Sequence, residues 1–72
     1  MIVYEPFWRT LKAKKISTYY LIYKCNISSS TIGRIRKGQP LTTTTINDLC
    51  RILNCRIEEI AQYVPSDADQ TL

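Results

Sequence analysis

One short pattern recurs along the chain and fixes where helices can begin. An apolar residue precedes a Ser or Thr, and a second apolar residue follows four positions after that Ser or Thr. The three copies are Ile16-Ser17 with Leu21, Ile27-Ser28 with Ile32, and Leu41-Thr42 with Ile46. A hydroxyl at this position accepts a hydrogen bond from a free backbone N–H, and the flanking apolar pair holds the entering chain against the helix. The pattern therefore predicts helices that begin near residues 18, 29 and 43.

Residues that tolerate a left-handed conformation lie where these helices would have to end. They are Asn26, Gly38 and Asn54, and Asn and Gly adopt positive φ most easily. Pro6 suits the first position of an earlier helix, since the N–H that it lacks has no partner there. The predicted helices are 6–14, 18–25, 29–37, 43–53 and 57–63.

The fifth predicted helix depends on a weaker copy of the pattern, Cys55-Arg56 with Ile60. Arg cannot accept a hydrogen bond, so this start has no side-chain cap, although Glu58 and Glu59 suit the positive end of a helix dipole. We find no strand alternation of useful length, and the pattern therefore predicts an all-α fold. The predicted core is Phe7, Leu11, Ile16, Leu21, Ile22, Ile27, Ile32, Ile35, Ile46, Leu49, Cys50, Leu53, Ile57 and Ile60.

The aromatic residues outside this core are open to more than one interpretation. Tyr19, Tyr20 and Tyr23 lie on the second helix, where core packing or partial exposure is the default expectation. Contact with a sugar-phosphate backbone or with a protein partner is the alternative for these tyrosines. Trp8 is expected to cover the edge of the core, because it and its neighbour Phe7 cannot both point inward.

Charge divides the chain into two halves. Residues 1–40 carry eight Lys and Arg side chains and one acidic side chain, whereas residues 41–72 carry two basic and five acidic ones. A basic half suggests a surface for a polyanion such as nucleic acid, and chance asymmetry of a solvated surface is the alternative.

Residue types also limit the chemistry. Histidine is absent, and Cys25, Cys50 and Cys55 lack Cys-x-x-Cys spacing. A structural zinc site normally needs four Cys or His ligands, and a disulfide framework an even number of Cys. No nucleophile stands with a base, and no apolar run approaches the roughly 20 residues of a membrane span. We therefore expect a cytoplasmic protein without metal or cofactor that is not an enzyme, and we see no signal peptide.

Residues 18–37 fit two short helices that meet across a tight turn. The residues expected to face inward are Leu21, Ile22, Cys25, Ile27, Ile32 and Ile35. The remaining positions of the second of these helices are small, polar or basic. A helix that enters the major groove needs such a face, because small side chains allow close approach and polar ones can bond to base edges.

The stretch Ser17–Gly38 resembles the helix-turn-helix of the Cro and lambda-repressor type, also called the XRE family. The positions that carry the resemblance are Leu21, Ile27-Ser28, Ser30-Thr31-Ile32, Arg34-Ile35 and Gly38. Residues 40–60 resemble that family's fourth and fifth helices, so the likeness extends over about residues 7–62. It implies a five-helix lambda-repressor-like domain over residues 1–64, with a helix-turn-helix at Ser17–Lys37 formed by helices 2 and 3. Residues 65–72, which begin with Pro65, are expected to form a polar tail.

Three positions depart from the pattern of that family. Ile22 replaces the usual small alanine where the two helices touch, which predicts wider packing. Asn26 replaces the turn glycine, which a left-handed Asn allows. Thr18 replaces the glutamine common at the start of the second helix. The resemblance therefore implies a phosphate contact by Thr18 less strongly than it would for glutamine.

The resemblance implies that the start of the third helix lies against base edges. The implied base contacts are Ser28, Ser29, Ser30 and Arg34. The planar guanidinium of Arg34 matches the O6 and N7 acceptors of guanine, and a phosphate contact is the alternative role for this residue. Ser28 is a cap first, and permitting close approach is the alternative role for the small Ser29 and Ser30.

A second set of residues is expected at the sugar-phosphate backbone. These residues are Thr18, Arg36, Lys37, Thr42, Thr43 and Thr44. Helix starts present N–H groups and hydroxyls to phosphates, which suits the threonines. The alternative for Thr42–Thr45 is a polar surface around a single cap.

The combined interpretation is a sequence-specific transcriptional regulator of bacterial or phage type that is repressor-like because it acts by occupying double-stranded DNA. We expect a homodimer on a palindromic operator, with half-sites about 34 Å apart. The expected dimer contact is Ile57, Ala61, Tyr63 and Val64; the alternative is that Tyr63 and Val64 fold back onto the first helix. The alternative function is a protein-interaction module on the same fold, antitoxin-like or anti-repressor-like.

Overall fold

The computed structural model describes residues 1–69 and contains four α-helices, a single 3₁₀ turn and a small sheet. The helices are α1 (Glu5–Lys14), α2 (Thr18–Lys24), α3 (Ser29–Lys37) and α4 (Thr43–Leu53). The 3₁₀ turn covers Ile57–Glu59, and the strands are β1 (Ile2–Val3) and β2 (Gln62–Tyr63). Within residues 1–69 no helix is long and apolar enough to cross a bilayer.

The three predicted hydroxyl caps are present, and the helix starts near residues 18, 29 and 43 are confirmed. The Oγ of Ser17 accepts a hydrogen bond from the N–H of Tyr20 at 3.1 Å. Ser28 accepts from the N–H groups of Ser30 and Thr31 at 3.1 and 3.3 Å. Thr42 accepts from the N–H of Thr45 at 3.1 Å. Each cap thus satisfies backbone donors that the first turn of a helix leaves without partners.

The predicted left-handed residues are also confirmed. Asn26, Gly38 and Asn54 have φ values of 60°, 69° and 51°. Lys15 has φ 57° as well and ends α1. No local signal predicted the left-handed conformation of Lys15, because Lys has none of the backbone freedom of Gly or the local hydrogen bonding of Asn.

The prediction of a fifth α-helix is wrong, because only one 3₁₀ turn forms at Ile57–Glu59. The Arg56 side chain has no hydrogen-bond acceptor, so it cannot cap the turn. The backbone N–H of Arg56 donates to the Glu59 carboxylate at 3.1 Å. Beyond Ala61 the chain becomes extended, and β2 pairs antiparallel with β1 in the register Ile2 with Tyr63 and Val3 with Gln62. The expected absence of strands is therefore also wrong, since two-residue strands are too short to show alternation.

The core lies where the helices meet. Phe7, Leu21, Leu49 and Ile60 are fully buried, and the other buried apolar side chains are Tyr4, Leu11, Ile27, Ile32, Ile35 and Leu53. Tyr4 was not predicted; its hydroxyl donates to the carbonyl oxygen of Gln39 at 2.9 Å. Ile57 was predicted in the core but is 59% exposed, because the short 3₁₀ turn buries Ile60 and leaves Ile57 outside. The remaining predicted core residues, Ile16, Ile22, Ile46 and Cys50, are only half-buried.

Residues on both sides of the predicted boundary at residue 64 contact the start of the chain. The N–H of Val64 donates to the carbonyl oxygen of Met1 at 2.8 Å. The Met1 ammonium lies 2.8 Å from the Asp69 carboxylate, and this hydrogen bond lowers the pKa of Asp69. Residues 70–72 lie outside the described part of the chain, and the domain boundary at residue 64 stays a prediction.

Candidate nucleic-acid interface

Helix α3 buries one side and exposes the other. Ile32 and Ile35 are each 2% exposed and fix the buried side. With 3.6 residues per turn, Ser30 and Lys37 lie opposite these two isoleucines. Gly33 and Arg34 lie on either side of Ser30 and Lys37 on the exposed face. The exposed face therefore carries small side chains at its N-terminal end and basic ones at its C-terminal end, as a helix that approaches an anion would.

The serines that begin this face do not have equal freedom. The Ser28 hydroxyl caps α3 and also hydrogen-bonds with the Ser30 hydroxyl. Ser29 is exposed at the first position of the helix. The structure thus confirms the capping role of Ser28, while base contact by Ser28, Ser29 and Ser30 stays a prediction.

The basic residues of α3 are exposed and lack acidic partners. Arg9 lies 3.9 Å from the Glu5 carboxylate, and Arg51 lies 3.8 Å from the Asp48 carboxylate. By contrast, no salt bridge within residues 1–69 involves Arg34, Arg36 or Lys37. Their charges are thus available to an anionic ligand. The basic residues that face solvent in the last turn of α3 are Arg34, Arg36 and Lys37.

One contact at the end of α3 had no signal in the sequence. The Arg36 guanidinium carbon lies 5.6 Å from the centroid of the Trp8 ring. Trp8 is half-buried and packs against the core, as predicted. Trp8 lies on α1 and Arg36 on α3, and α2 separates these helices in the sequence. Only the tertiary fold brings the two residues together.

The threonines predicted at the DNA backbone lie at two helix starts. Thr18 is the first residue of α2 and is half-buried. Thr42 caps α4, with its hydroxyl 3.0 Å from that of Thr45, and Thr43 and Thr44 are exposed. This geometry fits both the phosphate contact and the simpler role of a polar surface around one cap.

The three tyrosines of α2 form an exposed aromatic face. Tyr19, Tyr20 and Tyr23 are 64%, 49% and 66% exposed. The rings of Tyr19 and Tyr23 contact each other in a tilted arrangement, with centroids 4.6 Å apart and planes at 39°. Partial exposure is therefore confirmed and core packing is wrong, while contact with DNA or a partner stays a hypothesis.

A second apolar surface surrounds the 3₁₀ turn and the sheet. Ile57, Tyr63 and Val64 are exposed, and Ala61 is half-buried. Next to them lies an apolar groove of about 430 Å³ that we call the C-terminal groove. Its lining residues include Ile2, Tyr4, Pro40, Leu41, Ile46, Ile57 and Ala61. The alternative of a fold-back onto α1 is wrong, since β2 pairs with β1 and its side chains stay exposed.

Comparison with known proteins identifies this arrangement. The sequence model of the Cro/C1-type HTH DNA-binding domain matches residues 7–66. The crystal structure of the transcriptional regulator VanUg, form II, is similar with a TM-score of 0.81 and 23% sequence identity. The similarity covers 90% of this chain and 87% of that chain. No curated protein sequence matches significantly.

Proposed function

The chain belongs to the family of Cro/C1-type helix-turn-helix DNA-binding domains, and we propose that it is a sequence-specific, repressor-like regulator of bacterial or phage type. In this proposal α3 enters the major groove of double-stranded DNA. The observation that carries the proposal is the exposed face of α3. Within residues 1–69, this face has small side chains at one end and basic side chains without salt-bridge partners at the other.

Base reading is assigned to the first two turns of α3. Arg34 forms a bidentate hydrogen bond to guanine O6 and N7, and Ser29 and Ser30 allow the helix backbone to approach the base edges. Ser28 contributes to the same surface while it caps the helix. Phosphate contacts come from the residues that flank this helix: Thr18, Arg36, Lys37, Thr42, Thr43 and Thr44.

Selection of bound duplexes from a random pool, at one stated salt concentration, tests this function. The proposal predicts an enriched sequence in the form of an inverted repeat. A matched selection with Arg34→Ala should lose preference at one base pair in each half-site. A pool that stays random after several rounds contradicts sequence-specific binding, because nonspecific affinity alone enriches no sequence.

We also propose a homodimer that forms through Ile57, Ala61, Tyr63 and Val64. The exposed Ile57 stands at the rim of the C-terminal groove, so two copies related by a two-fold axis can each place Ile57 against the groove of the other. Ile57→Asp should then convert a two-subunit DNA complex into a one-subunit complex in sedimentation. Val64→Ser serves as a milder variant, and an unchanged complex with both variants contradicts this interface.

A protein-interaction module of antitoxin-like or anti-repressor-like type is the second candidate. The exposed Tyr19, Tyr20 and Tyr23 favour it, because aromatic side chains are enriched where proteins meet. Under this alternative, the selection above enriches nothing, and the chain binds DNA no better than it binds another acidic polymer.

A further inference from the structure

We propose that Trp8 is a positioning residue for DNA binding, because its ring holds the guanidinium of Arg36 at the end of α3 in place for a phosphate. The inference rests on the proposed function and assigns to α1 a part in it. It concerns a contact between two helices that no local sequence pattern indicates.

The Trp8 ring has a fixed support. It meets the ring of Phe7 edge-on, with centroids 5.0 Å apart and planes at 78°. Phe7 is fully buried, so the Trp8 ring rests against the core. The guanidinium carbon of Arg36 lies over the Trp8 ring, 5.6 Å from its centroid. This distance lies within the range of a cation–π contact.

The cation–π contact leaves hydrogen-bond donors of Arg36 available. A guanidinium carries five N–H donors, whereas the contact with Trp8 is an attraction of the positive charge to the ring and uses no oxygen acceptor. A carboxylate would instead use the donors themselves, as Glu5 does beside Arg9 and Asp48 does beside Arg51. Across residues 1–69, no carboxylate lies within 4.0 Å of Arg36. Arg36 is thus held in place and can still bind two phosphate oxygens.

The position of Arg36 suits a backbone contact rather than a base contact. It follows the buried Ile32 by four positions and Ser29 by seven, which places it on the flank of α3 that faces α1. The edge of the exposed face meets the sugar-phosphate backbone when the centre of that face enters the groove. A side chain that is ordered before binding loses less conformational entropy on binding.

A double-mutant cycle tests the role of Trp8. Affinities for the selected duplex are measured with labelled DNA for the parent, Trp8→Leu, Arg36→Gln and the double variant, at one salt concentration. We expect Trp8→Leu to weaken binding by about twofold to fivefold, the factor that a cation–π contact provides. In the Arg36→Gln background the same change should cost nothing further. Trp8→Phe should restore part of the loss.

Two controls separate positioning from damage to the fold. Thermal unfolding shows that each variant is folded at the binding temperature, and a cycle of Trp8→Met with Arg36→Gln replaces the first if Trp8→Leu does not fold. Trp8 is the one tryptophan in the chain, so its emission should shift in free Arg36→Gln protein. A cycle with Arg34→Ala should be additive, because Arg34 does not contact Trp8.

Two results overturn the inference alone: an equal loss from Trp8→Leu with and without Arg36, or unchanged affinity of Trp8→Leu in the parent background. In either case the parent still binds its duplex, so the proposed function stands. A parent protein that binds no duplex overturns both the inference and the proposed function.

Discussion

The hydroxyl of Tyr4 donates a hydrogen bond to the carbonyl oxygen of Gln39 at 2.9 Å. This bond ties the segment before α1 to the loop that follows α3. The left-handed Gly38 ends α3 immediately before Gln39, so the contact helps to fix where the helix stops. A residue near the start of the chain therefore stabilises the loop in which the candidate DNA-binding helix ends.

The first prediction concerns this bond. Tyr4→Phe keeps the buried ring and removes the hydroxyl, so it should lower the free energy of unfolding by about 0.5–1.5 kcal/mol. Tyr23→Phe, on an exposed ring, is the matched control and should change stability little. Equal stability of Tyr4→Phe and the parent in urea unfolding would show that the bond contributes nothing in solution.

The second prediction concerns the buried side of α3. Ile32→Ala should lower the free energy of unfolding by about 2–5 kcal/mol, because it removes a core side chain and one half of the apolar pair around Ser28. Ile57→Ala makes the same chemical change at a position that is exposed in the monomer, and at protein concentrations too low for dimer formation it should have a much smaller effect. Melting temperatures measure both, and similar losses for the two variants would mean that α3 packs in another register.

The third prediction concerns base recognition. Arg34→Ala should weaken binding to the preferred duplex by about 1–3 kcal/mol and relax preference at one base pair. Arg51→Ala removes the same charge from α4 and should leave the preference intact. Competition titrations with specific and random DNA give both values. Equal losses on the two DNAs would assign Arg34 to a phosphate instead.

The fourth prediction concerns the phosphate backbone. Lys37→Ala should lower affinity for every duplex and reduce the slope of log K against log salt by about one unit per site. Lys12→Ala, on α1, is the matched control and should change both the affinity and the slope much less. Titrations at several salt concentrations measure the slope, and an unchanged value in Lys37→Ala excludes a phosphate contact there.

Local signals in the sequence predicted the helix boundaries well. Ser17, Ser28 and Thr42 act on N–H groups two or three residues away, so their effect is visible in a short stretch of sequence. The left-handed conformations of Asn26 and Asn54 were predicted equally well, because a positive φ is a property of one residue.

Features that depend on distant residues were missed or wrong. The fifth helix was expected from the weak pattern of Cys55-Arg56 with Ile60, but the uncapped start at Arg56 and the pairing of Gln62–Tyr63 with Ile2–Val3 end it after one turn. The burial of Tyr4 and the contact of Arg36 with Trp8 likewise arise from partners far along the chain. The predicted DNA-contacting residues reach the surface, but what they touch depends on a ligand outside the chain.

The most direct test of the central claim is a backbone-amide NMR titration of the parent protein with its selected duplex. We expect the largest chemical-shift changes on residues 28–37, with smaller ones at Thr18 and at Thr42–Thr44. Amides near Glu58 and Glu59 should change little, apart from effects of dimer formation. Changes concentrated on the Tyr19–Tyr23 face or on the acidic half, with α3 unaffected, would contradict DNA binding through α3.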